Sequence, residues 1–220
     1  MPQLRPVDVL AAEPIGPYML LRVRRRGLDA GRPGQFFMLR PATALLPRPM
    51  SVCLARAGEL AFLIDPVGPC TRALCTTDRG DVITVFGPLG NGFDLRVRRP
   101  LLVGGGVGIA PLPYLSEALS APPSVLGFRS EAHAEAAALL PRAAVVVEPT
   151  LVTDVLPGGR DVLACGPEAM LDAVGARWPT AQLAREAPMA CGFGACYGCA
   201  VEIRGRLARL CVEGPVLRAA

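Results

Sequence analysis

Between Val7 and Phe86 the apolar positions fall in runs of five or six residues, cut by Gly, Pro and charged side chains: Val7 to Ala12, Tyr18 to Val23, Phe36 to Arg40, Met50 to Leu54, Leu60 to Ile64 and Val82 to Phe86. Runs of that length at that spacing predict a six-stranded antiparallel β-barrel. Thr71 to Cys75 reads as one helical turn across its end. After Pro100 the pattern changes: Leu101 to Val103 enters the glycines Gly104, Gly105, Gly106 and Gly108, followed by a helical stretch from Pro111 to Leu119. Further strands are expected at Val125 to Phe128, Ala143 to Val147 and Val162 to Ala164. The Ala-rich stretch Glu131 to Leu140 and the helical stretch Glu168 to Arg177 separate them. Strand and helix in alternation predict a parallel sheet with helices on its faces.

A last strand, Ala181 to Arg185, leads into a cysteine-rich end. The fold class expected is therefore α+β multidomain: a barrel over 1–98, an α/β nucleotide-binding domain over 99–185 and a small loop domain over 186–220. No internal repeat or low-complexity linker separates the parts, so they are expected to pack as one body.

Composition narrows the classes. Half of the 220 residues are apolar, yet no apolar run reaches the 18 or so that a membrane span requires. No basic and apolar leader opens the chain, so a cytoplasmic location is expected, and there eight cysteines read as metal ligands and core thiols, not disulfides. Every basic side chain is Arg, and the net charge is only +4. The clusters Arg22 to Arg26 and Arg96 to Arg99 lack the interleaved aromatics of a nucleic-acid surface and read as solvated strand ends.

Cys191, Cys196 and Cys199 have the spacing Cys-x4-Cys-x2-Cys, and eleven residues separate Cys199 from Cys211. This matches the thiolate set of a plant-type 2Fe-2S cluster. Gly192, Gly194 and Gly198 lie between the first three, where a loop around an inorganic core needs positive φ and bare N–H groups. A four-cysteine zinc site is the rival, but zinc sites usually present two close pairs. Here the fourth thiol stands alone behind a hairpin from Ala200 to Arg209 turning at Gly205.

Other stretches carry weaker signals. Arg48-Pro49-Met50-Ser51 opens a barrel strand with a forked cation and a hydroxyl suited to a flavin diphosphate; an exposed strand-start Arg is its plain alternative. Gly68-Pro69-Cys70-Thr71 precedes the short helix and serves either the same phosphates or a capped turn. Gly87 to Phe93 reads as an interdomain turn. The Gly104 to Gly108 loop can approach a dinucleotide pyrophosphate, although it departs from G-x-G-x-x-G and no acid follows about twenty positions later. Cys165-Gly166 ends a later strand, where Cys165 would touch a nicotinamide or fill a core. His133, the one histidine, reads as a surface residue. No triad or carboxylate pair stands out, so the chemistry falls to bound cofactors.

Taken in order, Arg-Pro-x-Ser, Gly-Pro-Leu-Gly-Asn-Gly-Phe, Gly-Gly-Gly-Val-Gly-Ile-Ala-Pro-Leu, Cys-Gly-Pro-Glu-x-Met-Leu and Met-Ala-Cys-Gly-x-Gly-Ala-Cys-x-x-Cys with a terminal Cys-x-x-Gly-Pro-Val resemble the electron-transfer subunits of NAD-dependent dihydroorotate dehydrogenase, a branch of the ferredoxin reductase family. The resemblance spans nearly the whole chain. It implies FAD in the barrel, with Arg48, Pro49, Met50, Ser51, Leu63, Ile64 and Asp65 beside the ribityl and diphosphate and with Gly68, Cys70 and Thr71 near the phosphates. It implies a NAD site at Gly104, Gly105, Gly106, Gly108, Cys165 and Gly166. It also implies a 2Fe-2S cluster on Cys191, Cys196, Cys199 and Cys211, facing an FMN-containing dihydroorotate dehydrogenase catalytic subunit in a heterotetramer of pyrimidine biosynthesis. Three departures stand out. Similar proteins have Gly-x-Gly-Thr at 68–71, a basic residue near Asp65, and a longer Asp-Gly-Ser-type loop where this chain has only Glu148 to Leu151. The last predicts weaker nicotinamide binding or a different acceptor. A sibling reductase moving electrons between NAD(P)H and ferredoxin or a sulfur substrate, and a zinc-stabilised interaction module, are the alternatives.

Overall fold

The computed structural model describes residues 1–203 and 205–219. Its first part is built from β1 (Gln3–Ile15), β2 (Tyr18–Arg24), β3 (Phe36–Pro41), β4 (Arg48–Ser51), β5 (Leu54–Arg56), β6 (Glu59–Ile64), α1 (Pro69–Cys75) and β7 (Val82–Leu89). The seven strands form one antiparallel sheet in the order β4-β3-β7-β1-β2-β6-β5. β1 is longer than its apolar run. Its first half pairs with β7 and its second half with β2, the register shifting between Val9 and Ala11, where a bulge lets one strand turn a barrel corner.

The run Met50 to Leu54 is two strands, not one, which makes the barrel seven-stranded. Between β4 and β5 the chain crosses from one sheet edge to the other. The Val52 N–H donates to the Gln35 carbonyl at 3.4 Å and the Cys53 N–H to the Ala61 carbonyl at 2.8 Å, so the crossing closes the curl. Inward positions fill the barrel with Phe37, Phe62, Leu60, Ile64 and Ile83. Alternation of this kind puts one face of each strand inside and frees the other for the neighbouring domain.

The second part contains β8 (Pro100–Gly105), α2 (Leu112–Ala118), β9 (Ser124–Phe128), α3 (Glu131–Ala134), β10 (Ala144–Val147), β11 (Asp161–Cys165), α4 (Glu168–Arg177) and β12 (Gln182–Ala184). These five strands are parallel. The cluster segment follows with the hairpin β13 (Ala200–Ile203) and β14 (Arg206–Arg209), Arg204 lying outside the described residues, and then β15 (Val216–Arg218). β15 returns to the large sheet antiparallel to β12, giving the order β10-β9-β8-β11-β12-β15. The chain therefore leaves the sheet after β12, forms the cysteine segment and re-enters at its edge.

The parts share cores. Leu20, Leu63 and Phe93 from the barrel pack with Leu102, Leu112, Leu126 and Leu163 of the sheet, while α4 covers the opposite face through Leu171 and Val174. Buried Gln182 adds a polar tie: its Nε2 donates to the Asp94 carbonyl at 2.8 Å and its Oε1 accepts the Asp94 N–H at 2.7 Å. Across the barrel-sheet seam, His133 stacks edge-on against Tyr18 at 5.5 Å and holds Arg129 and Ser130. It is a half-buried seam residue, not the surface residue expected, because α3 is pressed onto the β1–β2 turn. All eight cysteines are free, and among the described residues no helix is long and apolar enough to cross a membrane.

Candidate functional site

A cleft of about 620 Å³ opens where the barrel, the parallel sheet and the start of the cysteine segment meet. Sheet topology explains its place. β8 is succeeded on one side by β9 and flanked on the other by β11, so the chain's winding reverses between β8 and β11, and ligands of open α/β sheets sit at the carboxyl ends of such strands. Gly105 ends β8 and Gly106 and Gly108 follow it, Cys165 ends β11 and Gly166 follows it, and all five line the cleft. At Gly108 a Cβ would lie 2.4 Å from the Gly166 Cα, so the two loops meet backbone to backbone. Gly106, at φ +54°, has only the Tyr18 hydroxyl near its missing side chain, at 3.7 Å. This notch of bare backbone fits a pyrophosphate, and the cleft's volume falls in the range of cofactor sites.

The barrel wall is made by Tyr18, Phe36, Pro49, Ser51 and Asp65. Period-two alternation along β4 turns Pro49 and Ser51 to the cleft, whereas Met50 packs on the barrel core. Arg48 donates to the Pro47 carbonyl at 2.9 Å and lies near Cys70. Leu63 and Ile64 are buried in core, and Cys70 is buried against the barrel with its thiol facing the Leu39 carbonyl. The Thr71 hydroxyl accepts the Gly68 N–H at 2.8 Å, capping the turn before α1. Gly104 is a packing glycine: a Cβ there would meet Leu112, Ile109 and Leu126 within 3.0 Å. Of the flavin and nicotinamide candidates, then, Pro49, Ser51, Asp65, Gly105, Gly106, Gly108, Cys165 and Gly166 come together in one cleft, whereas Arg48, Met50, Leu63, Ile64, Gly68, Cys70, Thr71 and Gly104 are not on its lining.

Several wall residues are not singled out as site residues by the sequence: Tyr18, Phe36, Arg129 and Glu186, and also Met189 and Pro215, which stand inside the cysteine motifs without a role of their own. The short connection after β10 does reach the cleft, through Glu148, Thr150 and Leu151. Burial pushes the Cys165 thiol up to about 12, with nearby Glu186 adding to the effect, so Cys165 stands in the cleft wall as a neutral thiol. Burial, then the neighbouring Glu168 charge, raises the Glu186 carboxyl above its ordinary range.

The four cysteines of the C-terminal segment form two pairs. The Cys196 N–H donates to the Cys191 sulfur at 3.4 Å, and the Gly198 N–H to the Cys196 sulfur at 3.5 Å. Burial alone would raise the Cys191 thiol, but the amides of Phe193 and Cys196, the Cys196 side chain and the Ala195 amide outweigh it and bring it down to about 6. Cys199 lies beside Cys211, and burial together with that neighbouring thiol pushes Cys211 up to about 12, opposed by the Gly194 amide. Gly192 (φ +77°) and Gly194 (φ +87°) make this possible; Cβ atoms there would lie 2.6 Å from Met38 and 2.8 Å from Val212. Among the described residues no three His, Cys, Asp or Glu side chains converge on one point. One tetrahedral zinc needs four sulfurs around a single point, whereas a two-iron cluster spreads four over two metals, so the paired donor set fits the latter.

Thiol pairs and cleft are neighbours. Cys199 and Cys211 are buried in an apolar cluster with Phe36, Met38, Leu89, Met189 and Leu210. Phe36 and Met189 belong also to the cleft wall.

Comparison with known proteins bears directly on this arrangement. Residues 186–220 match the iron-sulfur cluster binding domain of dihydroorotate dehydrogenase B. The "Dihydroorotate dehydrogenase B (NAD(+)), electron transfer subunit" of Listeria innocua is 36% identical over 219 residues, covering 85% of both chains, and that of Bacillus caldolyticus is 36% identical, covering 86% of this chain and 85% of its own. The chain belongs to this family of electron transfer subunits. Membership makes it part of an NAD-dependent oxidoreductase and implies a catalytic partner subunit. In the family's terms, the segment 186–220 is the iron-sulfur module. Among solved structures, an NADH-dependent reduced ferredoxin-NADP oxidoreductase superposes with a TM-score of 0.83 at 26% identity, over 97% of this chain and 88% of the other. Phthalate dioxygenase reductase shares the fold alone, with a TM-score of 0.67 at 16% identity over 82% and 66% of the two chains.

Proposed function

We propose that this chain is the electron-relay subunit of a cytoplasmic NAD-dependent dihydroorotate dehydrogenase in pyrimidine biosynthesis, assembled as a heterotetramer with an FMN-containing catalytic subunit. The observation that carries the reading is the shared wall: Phe36 and Met189 face the cleft on one side and the Cys199–Cys211 pair on the other. FAD in the cleft and a 2Fe-2S cluster on the four cysteines would together supply conversion between one-electron transfer and two-electron hydride exchange with NAD.

The residues have separate tasks. Tyr18, Pro49, Ser51 and Asp65 form the flavin wall, with the Arg48 cation behind it near α1 for the diphosphate. Gly105, Gly106 and Gly108 admit the nicotinamide dinucleotide's backbone, and Cys165 and Gly166 close the floor against which the nicotinamide lies. Phe36 and Met189 exclude water between the two centres. The inward amides around Cys191 favour thiolate over thiol there and prepare the site for metal.

The partner's docking face fits the same reading. A second groove, of about 330 Å³, is lined by Leu4, Met38, Pro47, Phe86, Cys191 and Phe193, with Arg40 and Thr84 as its polar members. Leu4 and Phe193 are exposed apolar side chains beside Cys191, and Leu45 and Leu46, next along the chain from Pro47, are exposed as well. A catalytic subunit seated there would touch the cluster's first sulfur.

Anaerobic purification with the catalytic subunit tests the proposal. Iron, FAD and absorbance between about 400 and 550 nm in a stable complex are expected. Zinc in place of iron with no flavin would overturn it, and a flavin and iron protein that ignores the FMN subunit would favour a sibling reductase.

A further inference from the structure

Asn91 sits half-buried on the segment leaving β7, in the stretch that reads from sequence as a plain interdomain turn. Its carboxamide acts as a short piece of strand toward the chain that follows Cys211. Asn91 Nδ2 donates to the Val216 carbonyl at 2.8 Å and to the Glu213 carbonyl at 3.0 Å, and Oδ1 accepts the Val216 N–H at 2.9 Å. The Asn91 N–H adds a bond to the Gly214 carbonyl at 2.6 Å. Gly90 brings the backbones this close, since a Cβ there would lie 2.6 Å from the Gly214 oxygen and 2.7 Å from Pro215 Cδ.

The four thiols are not anchored alike. Cys191, Cys196 and Cys199 share one nine-residue loop, whose own amides hold the Cys191 and Cys196 sulfurs and whose Gly194 amide reaches across to Cys211. Cys211 comes after the β13–β14 hairpin, on a limb that runs through Glu213 and Pro215 into β15. Local bonds tie Arg209 to Glu213, but these lie within the limb. Among the described residues, Asn91 is the only side chain outside the cysteine segment that hydrogen-bonds residues 210–217. It does so from about 120 positions away in sequence.

We infer that Asn91 is a positioning residue for the metal centre: it locks the limb carrying Cys211, and so keeps the fourth sulfur beside Cys199 and at a fixed separation from the cleft. The inference rests on the reading of these cysteines as cluster ligands. Pro215, on the same limb, lines the cleft and its carbonyl accepts the Arg185 N–H at 2.9 Å, so the Asn91 latch works beside the β12–β15 ladder in setting the cluster's place relative to the flavin wall.

Asn91→Asp is the informative variant because it keeps shape and volume. A carboxylate retains the acceptor for the Val216 N–H but turns two donors into acceptors facing the Glu213 and Val216 carbonyls. Asn91→Ala, which removes all three side-chain bonds without adding charge, is the companion. The measurement uses the full chain carrying its cluster and flavin. It follows loss of visible absorbance under an iron chelator, the electron paramagnetic resonance lines after reduction, the flavin content and the unfolding temperature. Both variants are expected to lose the cluster about tenfold faster than wild type and to shift its resonance lines, while retaining flavin. Wild-type loss rates and lines in both variants would overturn the inference. So would parallel loss of flavin and cluster with a lowered unfolding temperature, which is the signature of a merely structural residue. Wild-type protein without iron would instead overturn the cluster reading itself.

Discussion

The barrel and the cysteine segment hold their functional groups by opposite means. In the barrel, interior residues such as Phe37, Phe62 and Leu60 pack into a closed core, and the alternation of each strand then aims Pro49 and Ser51 outward. The geometry there comes from side chains that never touch a ligand. In the segment from Cys191 to Cys199 no strand or helix exists. Its shape comes from left-handed glycines and from amides turned onto sulfur, with Met38 and Met189 as a floor. Damage to the barrel is therefore expected to act through stability. Damage to the segment acts on the metal with little effect on the rest.

Cys199→Ser separates the two most sharply. Loss of the cluster's visible signal and of electron flow to the partner is expected, with FAD still bound; full relay activity in this variant would reject the assignment. Phe62→Ala makes the complementary cut. Phe62 is fully buried and stacks edge-on with Phe37 at 6.0 Å, so its truncation should cost about 3 to 5 kcal/mol and lower the thermal midpoint while leaving the cysteine pairs intact. A midpoint equal to wild type would mean that the barrel does not depend on this core.

Arg48→Ala should weaken FAD retention by about 1.5 to 3 kcal/mol, read by flavin release on dilution. Unchanged affinity would leave Arg48 with only its bond to the Pro47 carbonyl.

The smallest effect is a pH dependence in the metal-free protein. Cys191 is held at about 6, below the ordinary thiol value, so its thiolate is favoured in the folded loop. Stability from this group is present above the ordinary thiol range and is lost as pH falls through about 6. Alkylation of Cys191 should accordingly stay fast down to about pH 6 and slow below it. An ordinary thiol profile, with reactivity falling already near pH 8 to 9, would show that the amides do not act on this sulfur.

Legibility differed between the same regions. The apolar runs gave the barrel and the parallel sheet, since burial of one strand face imposes period two and burial of both faces imposes a continuous run. The split of Met50 to Leu54 into two strands on opposite edges was hidden, because a crossing strand pair and a single strand have the same apolar pattern. β15 was hidden as well. Three residues, Val216 to Arg218, carry too little periodicity to announce a strand, and only the open edge of β12 makes them one.

At the sites, chemistry was readable where it depends on spacing along the chain, and unreadable where it depends on meeting across it. The thiol set at Cys191, Cys196, Cys199 and Cys211 follows from residue type and interval, because a small inorganic core draws its ligands from a short loop. The glycines after β8 follow likewise from the need for bare backbone at a strand's end. Nothing local marks Tyr18 or Phe36, and the motifs that contain Met189 and Asn91 do not say what either side chain meets. Their roles arise when barrel, sheet and cysteine segment close on one another. An aromatic, a thioether or a carboxamide is defined as wall or latch by what lies opposite it, and contacts between segments more than a hundred residues apart leave no imprint on either one alone.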